Sequence, residues 1–201
     1  FSDFYDELCL NSSLKSIFFS ERFFNLFAKI LKTQKEYIYV NGFMLRLDSP
    51  NDTRNSVDWH IDSFFFEQTS PHFNSAVCQL PLTDYNNFNG SIEFIPKSQH
   101  KIFKSKTLKK DSLIFKRKSK LSTYSATIPV SEKEKEEAQF LNASFGDASF
   151  IHVNLKHRTF KNNSKKMRLS LICRFHDSSK KFNIGKEFYI YNKTGKKTLK
   201  Y

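Results

Sequence analysis

Apolar residues recur at helical spacing only near the start of the chain. Leu14, Ile17, Phe18, Phe24, Phe27, Ile30 and Leu31 line one face, which predicts a single amphipathic helix from about Leu14 to Lys32 capped by Ser12 or Ser13. From Tyr37 onward the texture changes to short runs rich in β-branched and aromatic residues. These predict strands at Tyr37 to Leu47, Trp59 to Phe66, Ser75 to Leu82, Ser91 to Ile95, Ala148 to Val153, Met167 to Phe175 and Glu187 to Tyr191. Turn-forming groups separate them, among them Ser49-Pro50-Asn51-Asp52, Asn89-Gly90, Phe145-Gly146-Asp147 and Asn162-Asn163. A helix followed by many short strands predicts a mainly β protein of the jelly-roll or barrel kind.

The pattern breaks down between residues 101 and 142. Lys and Ser dominate there until Ser131-Glu132-Lys133-Glu134, which reads as a solvated helical turn capped at Ser131. The stretch is expected to be a charged insertion within one domain of 201 residues.

Against this background two polar groups stand out. Trp59-His60-Ile61-Asp62 places a histidine and a carboxylate two residues apart, and on an extended segment both point to the same face. Far downstream, the turn Gly146-Asp147 launches a strand whose continuation carries His157, with Thr159 two residues later. Arg168 and Ser170 then share a face of the next strand. Two imidazoles and one carboxylate can occupy one face of an octahedral Fe(II), leaving the opposite face open for oxygen and a chelating co-substrate. A guanidinium turned into a barrel demands an anionic partner, because an unpaired buried charge is severely penalised. A dicarboxylate would match its bidentate fork.

Three blocks in this order carry a family resemblance: Trp59-His60-Ile61-Asp62, then Asn89 to Lys101, then Gly146-Asp147 through His157 to Arg168. Over roughly residues 36 to 177 the chain resembles the phytanoyl-CoA dioxygenase family of Fe(II)/2-oxoglutarate-dependent oxygenases. In the middle block Lys97 stands where that family usually has glycine, and Gln99 is an extra residue before His100. The resemblance implies a double-stranded β-helix (jelly roll, cupin-like) with N-terminal helical support. It implies His60, Asp62 and His157 as iron ligands, Arg168 as the clamp on the distal carboxylate of 2-oxoglutarate, and Thr159 as a hydroxyl contact to that carboxylate. Cofactors would be Fe(II), 2-oxoglutarate and O2. Related halogenases carry a small residue in place of the carboxylate ligand, so Asp62 points to hydroxylation or another oxidation, with release of succinate and CO2.

Other residues have plainer readings. His100 supports the turn after Ile95-Pro96, His152 points away from the His157 face, and His72 and His176 belong to the surface. Arg174 is a solvated strand-end residue or a substrate contact, and Arg46 lines the cavity from the preceding strand.

The formal net charge of +13 raises the question of a nucleic-acid partner. Its lysines are scattered, with no recognition motif among them, so no specific nucleic acid is expected. The expected partner is a small-molecule substrate, polar or anionic. Cys9, Cys78 and Cys173 are an odd, widely spaced set, read as free thiols in a reducing cytoplasm. No run is long and apolar enough for a membrane span. Oligomeric state is not legible. Two rival readings are a cupin-like metal enzyme that does not use 2-oxoglutarate, with Arg168 structural, and a catalytically silent β-barrel module for an anionic polymer.

Overall fold

The computed structural model describes residues 11–53, 56–63, 74–100, 114–116, 125–179, 189–191 and 197–199. The helical segment is not one helix but two, α1 (Ser12–Phe18) and α2 (Glu21–Leu31). Ser20 causes the break. Its backbone is extended, its hydroxyl donates to the Ile17 carbonyl and accepts from the Phe23 amide, so it caps a new helix instead of continuing the old one. Helix α2 ends at Lys32, whose φ of 53° terminates it in the left-handed region.

The large sheet contains β1 (Ile38–Asp48), β2 (Ser75–Pro81), β7 (Ser149–His152), β9 (Arg168–Asp177), β10 (Tyr189–Tyr191) and β11 (Lys197–Leu199), in the order β11-β10-β1-β9-β2-β7. A smaller sheet has the order β6-β3-β8, from β3 (Ile92–Phe94), β6 (Gln139–Phe140) and β8 (His157–Thr159). Strands β4 (Ile114–Lys116) and β5 (Ser125–Thr127) pair with each other. Among the described residues all strand pairings are antiparallel.

Alternation along β9 divides the molecule into two cores. Leu171, Cys173 and Phe175 face the helices and pack with Phe18, Phe24, Phe27 and Leu31. Ile172 faces the other way, into a core shared with Val77, Ile92, Ile151 and Val153 between the two sheets. Phe27 and Phe175 stack with no solvent exposure, so truncating either to alanine would cost about 3–5 kcal/mol.

Strand β1 adds a twist to this scheme. Its register against β9 shifts between Asn41 and Met44, the signature of a bulge, and one extra residue exchanges the two faces of a strand. Before the bulge Ile38 and Val40 belong to the helix-side core, whereas after it Leu45 and Leu47 do. Arg46 and Asp48 are thereby turned toward the inter-sheet side, opposite Ser170 and Arg168.

Several expectations change at this level. His60 sits in an isolated bridge and Asp62-Ser63 in a short 3-10 turn, not in a continuous strand; residues 64–66 of the expected strand, like His72 and Glu187, lie outside the described residues. Helix α3 (Glu132–Glu136) has a full capping box from Ser131 and Glu134, and the stretch that follows Thr127 is built into the fold. Ile128 is buried with Trp59, Ile61 and Ile95, and β6 pairs with β3. His176 is not a surface residue; it is 1% exposed.

Candidate metal centre and anion pocket

His60 and His157 come together through their backbones before their side chains. Each amide donates to the other's carbonyl, at 2.9 and 3.0 Å, and the rings lie 4.2 Å apart between centroids. Each ring is oriented in the same way: Nδ1 meets the carbonyl two residues earlier, Asp58 O at 2.7 Å for His60 and Leu155 O at 2.9 Å for His157. A proton on Nδ1 donating to a carbonyl leaves Nε2 bare, the tautomer a metal needs.

The 3-10 turn at Asp62 folds its carboxylate back to the histidines. One ligand atom from each of His60, Asp62 and His157 lies within 4.8 Å of the others, and all three residues are buried. Oδ2 of Asp62 is 3.8 Å from Nε2 of His157, while Oδ1 accepts from Nη2 of Arg174 at 3.2 Å. Burial alone would raise the Asp62 pKa, but Arg174 above all reverses this and brings it down to about 2. Burial, reinforced by His157, pushes His60 down to about 3. At neutral pH both are in their metal-binding forms.

The middle block supports this centre from behind. Ile95 N donates to Lys156 O at 2.9 Å, and Lys156 N donates to Ser98 Oγ at 2.9 Å. The turn thus grips the residue immediately before His157. Lys97, in the usual glycine position, has φ 61°, so the backbone keeps the left-handed conformation despite the side chain. Lys156 Nζ reaches Glu134 Oε1 at 2.7 Å, both side chains being largely buried. Gly90, at φ 86°, admits no side chain: a Cβ there would lie 2.8 Å from Asn162 N and Phe160 O. This close approach holds the entry to β3 against the exit from β8.

Arg168 lies along β9 on the inter-sheet face and is 2% exposed. Its expected anionic partner turns out to be internal. Nη2 donates to Asp48 Oδ2, and Arg46 forms a fork on the same carboxylate, Nε at 2.9 and 3.1 Å and Nη2 at 3.1 Å. The ring of Tyr85 covers the Arg168 guanidinium, 4.7 Å from Cζ to centroid. The Arg46 guanidinium is close enough to disfavour protonation of His60 and of Arg168 alike.

This pocket tests whether the residues fit a dicarboxylate. Arg168 Nε, Ser170 Oγ and Tyr85 OH are buried without a hydrogen-bond partner, and the Tyr85 hydroxyl lies near both Ser170 and Arg168. Each orphaned group costs about 1–3 kcal/mol. All three can donate, so a carboxylate placed among them would satisfy the set. Thr159 is buried on the His157 face of β8, but its hydroxyl forms no hydrogen bond to Arg168. The structure therefore brings His60, Asp62 and His157 together and keeps Arg168 apart with Asp48, Ser170 and Tyr85. Asp48 and Tyr85 escape sequence reasoning; Ser170 was visible as the partner of Arg168 on one strand face. Arg174 is neither solvated nor free.

A two-sheet jelly roll that gathers two histidines and an aspartate, and buries an arginine on the same inter-sheet face, is the architecture of the non-haem iron oxygenases that use 2-oxoglutarate. The phytanoyl-CoA dioxygenase (PhyH) family profile matches residues 5–170, and the chain belongs to that family, whose cofactors are Fe(II), 2-oxoglutarate and O2. Among solved structures it is similar to EvdO2 from Micromonospora carbonacea var. aurantiaca, with TM-score 0.61 and 13% identity over 82% of this chain and 63% of that one. EvdO2 has also been solved with 2-oxoglutarate. It is similar to the non-haem α-ketoglutarate-dependent epimerase SnoN from nogalamycin biosynthesis, with TM-score 0.58 and 16% identity over 86% of this chain and 60% of that one. SnoN has been solved with Fe3+, α-ketoglutarate and nogalamycin RO. AviO1 from Streptomyces viridochromogenes Tue57 gives 0.54 and 17%, over 81% of this chain and 60% of that one. The chain thus spans less than two thirds of these solved proteins, and at such identities the likeness establishes the fold. No curated protein sequence matches it. Among the described residues no helix is long and apolar enough to cross a membrane.

Proposed function

We propose that the chain is an Fe(II)/2-oxoglutarate-dependent dioxygenase that hydroxylates a small-molecule metabolite, releasing succinate and CO2. The carrying observation is the buried meeting of His60, Asp62 and His157 in a fold that also holds a buried group of unsatisfied donors around Arg168. Iron with 2-oxoglutarate and O2 supplies the oxidising power; the protein supplies position, charge and exclusion of water.

His60 and His157 offer Nε2 because their Nδ1 atoms are committed to backbone carbonyls. Asp62 offers an ionised oxygen and leaves no vacancy for a halide at its position. Arg168, Ser170 and Tyr85 would receive the distal carboxylate of the co-substrate, with Thr159 as a further hydroxyl on the adjoining strand. Asp48 holds the Arg168 fork in place and favours the reading of Arg168 as purely structural, but it leaves Arg168 Nε unsatisfied. The unmet donors favour the 2-oxoglutarate reading over a cupin-like enzyme without that co-substrate. A polar or anionic substrate suits the basic chain. The loops expected to shape its pocket are 49–57, 65–73 and 103–142, of which 54–55, 65–73, 103–113 and 117–124 lie outside the described residues.

The test is anaerobic titration with Fe(II) and then 2-oxoglutarate, observed through the visible charge-transfer band of the chelate. A band that needs both additions is expected, and it should weaken in Arg168→Ala. Metal binding without the band would favour the cupin-like enzyme, and binding of neither would remove the oxygenase reading.

A further inference from the structure

We propose that Arg174 is the positioning residue for the metal-binding carboxylate. It holds one oxygen of Asp62 so that only the other is offered to the metal. This inference rests on the reading of His60, Asp62 and His157 as a metal site.

The two oxygens of Asp62 have different neighbours. Oδ1 accepts from Arg174 Nη2 at 3.2 Å, and Oδ2 faces His157 Nε2 at 3.8 Å. Among the described residues Arg174 provides the hydrogen bond to this carboxylate. The histidine ligands are each oriented by a backbone carbonyl, and Arg174 plays the corresponding part for the third ligand. Its own place is set by β9, where it stands opposite Val77 and Asn41 on the face that also carries Arg168, Ser170 and Ile172. Six residues of strand, about 20 Å, separate Arg168 from Arg174. One strand therefore presents a guanidinium to the co-substrate pocket and another to the metal's carboxylate.

The consequence is a matter of coordination number. Three single-atom protein ligands leave about three of six octahedral positions open, enough for a two-point chelate and one further small ligand. A carboxylate binding through both oxygens would take one of these and compete with the chelate. By engaging Oδ1, Arg174 keeps Asp62 to one position. A guanidinium serving only as a counter-charge would make no such difference.

The experiment uses Mn(II) as probe in the wild-type protein, in Arg174→Met and in Arg174→Lys. Water-proton relaxivity counts the waters on bound Mn(II) and falls again when 2-oxoglutarate displaces them. For Arg174→Met we expect relaxivity per bound Mn(II) to drop by about one third, as one of about three waters is lost. Its Mn(II) affinity should fall about 10–100-fold, the usual cost of removing an outer partner of a metal ligand, and its 2-oxoglutarate affinity should fall as well, because the second carboxylate oxygen then competes with the chelate. Arg174→Lys keeps the charge but not the planar fork and should show a smaller loss in the same direction. Relaxivity and affinity equal to wild type in the variants that fold would overturn the proposal. Should the methionine variant not fold, the lysine variant decides in the same way. Wild-type protein that binds no Mn(II) would instead remove the metal-site reading on which the proposal stands.

Discussion

Asp48 and Arg168 stand directly opposite one another on β1 and β9, and their buried side chains form an ion pair that exists because the bulge in β1 turned Asp48 inward. Arg46 binds both oxygens of the same carboxylate, so Asp48 serves as a shared support for two guanidiniums. Removing Arg168 should therefore have two separable effects. Arg168→Ala is expected to weaken 2-oxoglutarate binding and to cost stability, by less than the about 3–5 kcal/mol of a fully broken buried pair, because Arg46 still compensates Asp48. The double variant with Asp48→Asn should regain part of the stability without regaining 2-oxoglutarate. A double-mutant cycle by urea denaturation and ligand titration reads both.

The orphaned donors make a second prediction. Tyr85→Phe and Ser170→Ala each remove one hydroxyl from the pocket while leaving its shape. Each should weaken 2-oxoglutarate binding by about 1.5–3 kcal/mol, the range for a hydrogen bond to a charged group, with Fe(II) affinity unchanged. Equal affinity in both variants would mean that the co-substrate's carboxylate sits elsewhere.

His157→Ala is expected to abolish Fe(II) binding with little change in the fold. The side chain is lost, but the paired backbone hydrogen bonds between residues 60 and 157 remain available. Metal titration beside far-ultraviolet circular dichroism separates the two outcomes.

Acid should destabilise the metal-free protein well above the carboxylate range. Burial, reinforced by His157 for His60 and by Arg174 for His176, holds both histidines at about 3, against about 6.5 in an unfolded chain. As pH falls below about 6.5 the unfolded state takes up these protons and the native state does not. Each histidine then removes stability at up to about 1.4 kcal/mol per pH unit until its native pKa is reached. Asp62, held at about 2, extends the loss below about pH 4. Urea midpoints between pH 7.5 and 4.5 would show the slope, and His176→Gln should reduce it.

Lys97 carries a local cost that can be removed. At φ 61° a side chain pays a conformational penalty that glycine does not. Lys97→Gly should stabilise the protein by about 1 kcal/mol, seen as a raised denaturation midpoint, since the turn it belongs to grips Lys156 by backbone and Ser98 contacts that the substitution preserves.

The strands that build the site were legible because alternation and turn residues are local properties. Ser75 to Leu82 and Met167 to Phe175 fall almost where β2 and β9 lie. The helix was legible as an amphipathic face, but its break at Ser20 was not, since a serine within an apolar period is ambiguous until its hydroxyl finds Ile17 and Phe23. His176 illustrates a different failure: its polarity suggested the surface, whereas the inward parity of β9 and the Ser75 hydroxyl, 2.7 Å from Nδ1, make it a buried residue.

The sequence by itself determined the chemical inventory: two histidines, an aspartate and an arginine in blocks whose order marks the family, on segments whose periodicity makes them β. Only the tertiary structure decided which groups meet. Arg174 reaches Asp62 across 112 residues and Arg168 reaches Asp48 across 120, pairings set by sheet register and by one bulge in β1. Register depends on how whole strands bury their apolar faces against each other, a cooperative property that no local pattern encodes.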